Sequence, residues 1–328
     1  MSKKAYRSSR INPWVMVILI VLLIVTAAVS CLFGSVNLSW DEIWQSDTAA
    51  AEIFWQLRLP RTIVCILVGA ILSVCGAAYQ SIFRNPLTDP YVLGVSSGAS
   101  LGATVAILLG IEVFVGGMAL VTALLTVLLI YKIASIGNRM HTTTLLLTGV
   151  CLTLLISAVS MFLMVLHQEK MDRIILWTMG GFSTVFWTDV WVLLPVAVVG
   201  IGVVLWHGRD LNLLLAGSEE AKSMGVEVEK VKKILLLFTT LMVAFAVSSC
   251  GVIGFVGLIV PHAVRLVAGP DNRRVIPYSM LCGAIFLLLC YTLARTVRHL
   301  EELPVGCFTS IIGASLFIYL LYRNKKKY

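Results

Sequence analysis

Nine stretches of this chain run for seventeen residues or more without a single charged side chain. They cover residues 13–34, 62–83, 90–111, 113–131, 142–166, 190–206, 234–261, 275–294 and 303–322. A helix needs roughly 20 apolar residues to cross a hydrocarbon core about 30 Å thick, so most of these stretches are long enough to span a bilayer. Composition agrees: 59% of the 328 residues are hydrophobic and 13% charged, against about a quarter charged in soluble domains. Such a chain in water would expose far too much hydrocarbon. An ordinary soluble enzyme is excluded. The expected fold is all-α and polytopic, with residues 1–328 forming a single transmembrane domain.

Two stretches are ambiguous, and charge decides both. Residues 234–268 are interrupted only by His262 and Arg265. As one helix they would run about 50 Å, too long for one crossing. Gly251, Gly254 and Gly257 sit in the middle, where a helix can end and restart. Residues 174–188 are too short for a crossing and carry Gly180-Gly181, which suits a re-entrant or external helix near 174–182. Splitting the first stretch and leaving out the second gives ten spans with both termini cytosolic. Of the 25 Lys and Arg, 19 then lie inside and 6 outside; without the split the distribution is 14 to 11. The excess of basic residues on cytosolic loops favours ten. The basic N-terminus ahead of residues 13–34 resembles a signal peptide, but the run exceeds the roughly 7–15 residues of a signal core and reads as a retained first span.

What the spans lack also constrains function. None of the nine runs contains Asp or Glu, whereas ion-coupled carriers usually need an intramembrane carboxylate. There is no G-x-x-x-x-G-K-[ST] phosphate loop, so the chain should not hydrolyse ATP itself. The eight cysteines show no metal-ligand spacing and read as small buried hydrophobes. The net charge of +8 is dispersed between apolar runs, which points to lipid headgroups and topology and away from nucleic acid. No catalytic group, metal or cofactor is expected.

The remaining motifs each admit two readings. Gly94, Gly98 and Gly102 line one helix face, most simply for close packing. Residues 84–90 (Arg-Asn-Pro-Leu-Thr-Asp-Pro) form a non-helical turn. Arg58-Leu-Pro-Arg61 opens the second span from outside, with Pro60 in its first turn. Its arginines either anchor a helix end by snorkelling or receive a carboxylate from an external partner. Residues 217–225 (Gly-Ser-Glu-Glu-Ala-Lys-Ser-Met-Gly) make a short cytosolic helix, with Ser218 able to cap it and Gly225 to stop it. It is either a solvated loop helix or a lever pushed by an ATPase. His262 reads as structural.

In order along the chain, these strings resemble the FecCD-type permeases of ABC importers. They are Arg58-x-Pro-Arg61, Gln80, Asn85-Pro-Leu-Thr-Asp-Pro90 and Leu93-Gly94-x-x-x-Gly98-Ala99, then Trp177-x-x-Gly180 and Gly217-x-Glu-Glu-Ala221. Phe255-Val-Gly-Leu-Ile-Val-Pro-His262 and Glu302-Leu-Pro-Val-Gly306 complete the set. The resemblance implies a ten-span permease in the bacterial cytoplasmic membrane. It would work with a second permease copy or paralogue, two ATP-binding cassette ATPase subunits and an extracytoplasmic substrate-binding protein. The cargo would be an iron(III)-siderophore or a related chelate such as cobalamin or haem, moved by alternating access. An ion-coupled secondary transporter or channel is the alternative. By the same resemblance Arg58, Arg61 and Arg295 dock the binding protein. Gly217, Ser218, Glu219, Glu220, Ala221 and Gly225 belong to the ATPase coupling helix. The fifth and tenth spans and the short helix wall the pathway, with Asn85, Leu87, Thr142 and Thr143 near its cytosolic constriction. Two positions depart from the family pattern: Tyr291 stands where Asp is usual, and Ser315 ends a Gly-Ala-Pro pattern.

Overall fold

The computed structural model describes residues 11–34, 43–44, 48–136, 139–140, 142–297 and 302–325. The described chain is helical apart from a two-residue antiparallel pairing of β1 (Ser135–Ile136) with β2 (Arg139–Met140). Among the described residues seven helices are long and apolar enough to cross a membrane, and three shorter apolar helices accompany them.

The first, α1 (Pro13–Leu32), starts with Pro at its first position, and Asn12 accepts a hydrogen bond from the Trp14 amide. It is oily all round, with Trp14, Ile18 and Ile24 exposed, as a lipid-facing helix should be. Next comes α2 (Ala49–Ile82), longer than the run at 62–83 implied. Pro60 stands in the first turn of the regular α-helical part, Leu59–Ile82, as expected, but helical chain continues before it back to Ala49. A π-helical segment over Ile53–Arg58 precedes Pro60, with the Leu59 amide reaching back to Phe54 O. That wide turn absorbs the place where proline removes a backbone donor.

The chain continues through α3 (Val95–Leu108), α4 (Val115–Ala134), α5 (Thr142–Leu166), the short α6 (Met171–Thr178) and α7 (Trp187–Trp206). Then follow α8 (Gly208–Ala216), α9 (Ser218–Ser223), α10 (Val228–Cys250), α11 (Val256–Ala268), α12 (Asn272–Thr296) and α13 (Val305–Lys325). The stretch 234–268 is broken as its length requires. α10 ends at Cys250, Gly251 takes φ +69°, and α11 starts at Val256. Gly257 is not part of the break but lies within α11.

The hub is α2, surrounded by α7, α8, α10, α11 and α12. Lipid supplies no hydrophobic drive between helices, so contact depends on close backbone approach through small residues. Gly76 faces Gly257 so closely that a Cβ on Gly76 would lie 1.8 Å from Gly257 O, and Gly69 meets Gly283 in the same way. On α3, Gly98 and Gly102 pack against Thr126 and Thr122 of α4, whereas Gly94 has φ +71° and makes the turn into α3. Five of the eight cysteines are buried; Cys151 on α5 is exposed, an exception to the buried-hydrophobe reading.

Candidate functional site

α11 has 13 residues and is about 20 Å long, short of a hydrocarbon core about 30 Å thick, so the break before it leaves backbone groups that must be buried in protein or line a cavity. Both conditions hold. The Gly181 amide donates to Cys250 O at 2.8 Å, and the Tyr91 hydroxyl donates to Ile253 O at 3.0 Å. The Val305 amide, at the start of α13, donates to Gly180 O at 3.0 Å. Three non-helical pieces thus meet: the end of α6, the α10–α11 break and the entry to α13. The short helix is shifted from its expected place: α6 ends at Thr178, and Gly180 turns the chain with φ +69°.

Beside this junction lies a cavity of about 970 Å³. Trp177, Phe182, Phe245 and Tyr291 give it aromatic walls, Ser248 and Ser249 give it hydroxyls, and Arg295 and Glu302 stand among its charged lining residues. Large pockets of this kind, mainly apolar with a few placed polar groups, are where ligands and pathways are found.

The three arginines converge at the same end of the molecule, but in unequal settings. Arg58 and Arg295 are 4% and 3% exposed. Arg58 donates to Cys31 O at 2.9 Å and Leu32 O at 2.7 Å, and Arg295 donates to Ser30 O and Phe33 O. Together they supply donors to the carbonyls that a helix leaves open at its C-terminus, here that of α1. Tyr291 suits this arrangement. Its ring lies under the Arg295 guanidinium at 4.9 Å, and its hydroxyl accepts from Nη1 at 3.2 Å. Arg61 differs: it pairs with Glu302 at 2.9 Å and donates to Ser183 O, and both of these partners line the cavity.

At the opposite end, α8 and α9 form an elbow joined by Gly217. Glu219 and Glu220 in the first turn of α9 are exposed, Ala221 is buried, and Gly225 terminates the segment with φ +85°. Ser218 is not the cap. Gly217 holds that position, and the Ser218 hydroxyl accepts instead from the Lys232 ammonium at 3.3 Å. Asn85 makes the tight turn its surroundings suggested, its Oδ1 accepting from the Leu87 amide at 2.9 Å. Leu87 is exposed, and Thr142 and Thr143 open α5. Among the described residues no hydrogen bond joins Asn85 to either threonine.

Asp89 closes that turn by accepting from the Tyr91 amide at 2.8 Å. Burial pushes its carboxyl up from 3.8 to about 6, and the bond from Tyr91 offsets only part of this. The sign follows from linkage. The unfolded chain ionises Asp89 near 3.8 and the folded chain near 6, so the carboxylate destabilises the fold progressively across that interval and fully above it. Asp89→Asn keeps the cap and removes the charge. Its thermal midpoint in detergent should exceed that of the wild type at pH 7, and the advantage should vanish by pH 4.

Sequence reasoning had no way to see Tyr91, whose partner is 162 residues away. Tyr291 did leave a trace: it stands one helical turn before Arg295, on the same face.

Lipid-facing helices, broken helices at membrane depth and a cavity between them define a polytopic transport permease. Comparison with known proteins makes this specific. Residues 21–323 match the FecCD transport family, and the chain belongs to that family. As a member it is the permease subunit of an ABC importer, a multi-pass protein of the cell membrane whose ATPase is a separate chain. It is 45% identical to the cobalamin import system permease protein of Halobacterium salinarum, over 83% of this chain and 74% of that one. It is 34% identical to the hemin transport system permease protein of Yersinia pestis, over 98% and 99%. Its fold superposes on a solved metal-chelate type ABC transporter in an inward-facing conformation, with TM-score 0.86 and 32% identity, covering 95% of this chain and all of that one.

Proposed function

We propose that this permease carries a metal chelate inward, with a corrinoid such as cobalamin as the first candidate and haem or an iron(III)-siderophore next. The observation that carries the reading is the junction of broken backbone and cavity, because rigid helical bundles have no need of unwound segments at membrane depth. The 45% identity to a cobalamin permease orders the candidates. The seven long and three shorter apolar helices are read as ten spans with both termini cytosolic, in a bacterial cytoplasmic membrane. This accounts for the 19-to-6 distribution of basic residues.

The pathway forms with a second copy or a paralogue. α5 and α13, the fifth and tenth spans that the family resemblance gives to its walls, face outward with Leu154, Phe162, Ile311 and Ile318. Asn85, Leu87, Thr142 and Thr143 are assigned to its cytosolic constriction. A substrate-binding protein docks at the arginine end, chiefly through Arg61, while Arg58 and Arg295 hold the surface beneath. ATPase subunits seat α9, and their closure alternates access to the pathway.

The test is reconstitution in proteoliposomes with the neighbouring ATPase and binding protein. Uptake of radiolabelled cyanocobalamin should require ATP and both partners, and should exceed uptake of haem or a ferric siderophore. Uptake driven by a proton or sodium gradient without the ATPase would sink the reading.

A further inference from the structure

The elbow formed by α8 and α9 is fastened to the start of α12 by Asn212, a polar side chain that no motif marks. On α8, Leu211 and Leu214 are buried, and Asn212 beside them faces the start of α12. Its amide nitrogen donates to Asp271 Oδ1 at 2.6 Å, and its amide oxygen accepts from the Asn272 amide at 2.7 Å. Asp271 in turn caps α12 by accepting from the Arg273 amide at 3.0 Å. Asn212 therefore helps to cap the helix, satisfying a donor that a helix N-terminus leaves open.

From Asn272 the connection runs inward. Its side chain is fully buried, and its Oδ1 accepts from Arg265 of α11 at 2.8 Å and from Ser81 of α2 at 3.1 Å. Arg265 also donates to Ala77 O at 3.0 Å and to Ser81 Oγ at 2.8 Å. One chain of hydrogen bonds thus joins α8 to α12, α11 and α2, the helices that hold Gly76 against Gly257. On the other side of Asn212, α8 passes into α9 through Gly217 alone. Gly217 takes φ +154°, a conformation that favours glycine. Hydrogen-bond networks that link packed helices are one physical carrier of energetic coupling between sites.

We infer that Asn212 is a positioning residue for transport: it transmits movement of the α9 lever to α12, and through Asn272 and Arg265 to α11 and α2. The inference rests on the proposed assignment of α9 as the helix seated in the ATPase. Apolar packing of Leu211 and Leu214 would keep α8 in place without Asn212. It would not impose a register, and register is what force transmission requires.

An exchange of partners tests this in the complete reconstituted transporter, using whichever of cyanocobalamin, haem or ferric siderophore the wild type takes up. Asn212→Asp sets two carboxylates against each other, and Asn212→Asp with Asp271→Asn restores one donor and one acceptor. The single variant should lose about tenfold in uptake per ATP hydrolysed, a coupling of the size expected between linked sites. The double variant should recover most of that loss. If Asn212→Asp does not reach the membrane, Asn212→Ala, which removes both bonds without adding charge, is measured in its place and should lose uptake per ATP likewise. Wild-type uptake per ATP in the single variant, or no recovery in the exchange, overturns the inference. The lever assignment has its own readout. Glu219→Lys with Glu220→Lys should prevent co-purification of the ATPase, and normal assembly and transport by that variant would remove the assignment itself.

Discussion

Gly76→Ala should leave little folded protein to purify, although it adds one methyl group to the middle of a membrane helix. The added Cβ would sit 1.8 Å from Gly257 O, 2.6 Å from its carbonyl carbon and 2.9 Å from its Cα. All three are backbone atoms of α11, so no side chain can rotate away. α11 is also held against the Pro90 ring, since a Cβ on Gly257 would lie 2.4 Å from Pro90 Cγ. Overpacking in a well-filled core typically costs about 1–3 kcal/mol, and a contact made wholly with backbone belongs at or above the top of that range. Separating α2 from α11 also disturbs Arg265, whose bonds to Ala77 and Ser81 cross the same interface. Gly117→Ala is the internal control. Gly117 lies within α4, nothing stands within 4 Å of its added Cβ, and exchanging a helical glycine for alanine is worth up to about 1 kcal/mol. Size-exclusion profiles and thermal midpoints in detergent should therefore move in opposite directions for the two variants. A monodisperse Gly76→Ala protein melting with the wild type would show that α2 and α11 are not packed as described.

The architecture was legible because bilayer crossing writes its requirements directly into sequence as length and charge. The runs could be placed from those two quantities, and the glycines added a break within 234–268 and a short helix near 174–182. Their edges could not be placed. The start of α2 lies thirteen residues before the apolar run because Glu52, Arg58 and Arg61 fall within the helix, and charge-free length stops short of them. The Ser218 cap failed for a different reason: Gly217 takes the cap position through its backbone, and Lys232, fourteen residues on, claims the hydroxyl. Contacts over long separations were silent altogether. Nothing near Asn212 distinguishes it from any loop asparagine, and its importance comes only from α12 being folded beside it. Arg58, Arg61 and Arg295 looked equivalent because a sequence shows charge and spacing but not which guanidinium a helix terminus will claim.

That inequality separates the arginines experimentally. A charge reversal at Arg58 introduces a carboxylate, nearly without exposure, against the carbonyl oxygens of Cys31 and Leu32. An uncompensated buried charge costs about 3–5 kcal/mol, so Arg58→Glu should lower the thermal midpoint and loosen α1 before any question of docking arises. Arg61 is the informative position. Its side chain is 14% exposed and that of its partner Glu302, which lines the cavity, is 27% exposed, so under the proposed docking role an incoming carboxylate would compete with Glu302 for the guanidinium. Arg61→Met removes the charge and keeps the aliphatic stem, and pairing it with Glu302→Gln avoids stranding the glutamate. In nanodiscs containing the assembled transporter, this pair should bind the substrate-binding protein about tenfold more weakly, mostly through slower association, because charge at an interface rim steers encounter. Its thermal midpoint should stay near that of the wild type. Glu302→Gln alone should act in the other direction: with its internal partner neutralised, Arg61 is free for the external carboxylate and association should quicken. The salt dependence of association should flatten in the Arg61 variant and persist in the Glu302 one. If instead both bind like the wild type, the external surface is recognised by something other than this arginine, and Arg61 serves only to hold the entry of α13 against α2.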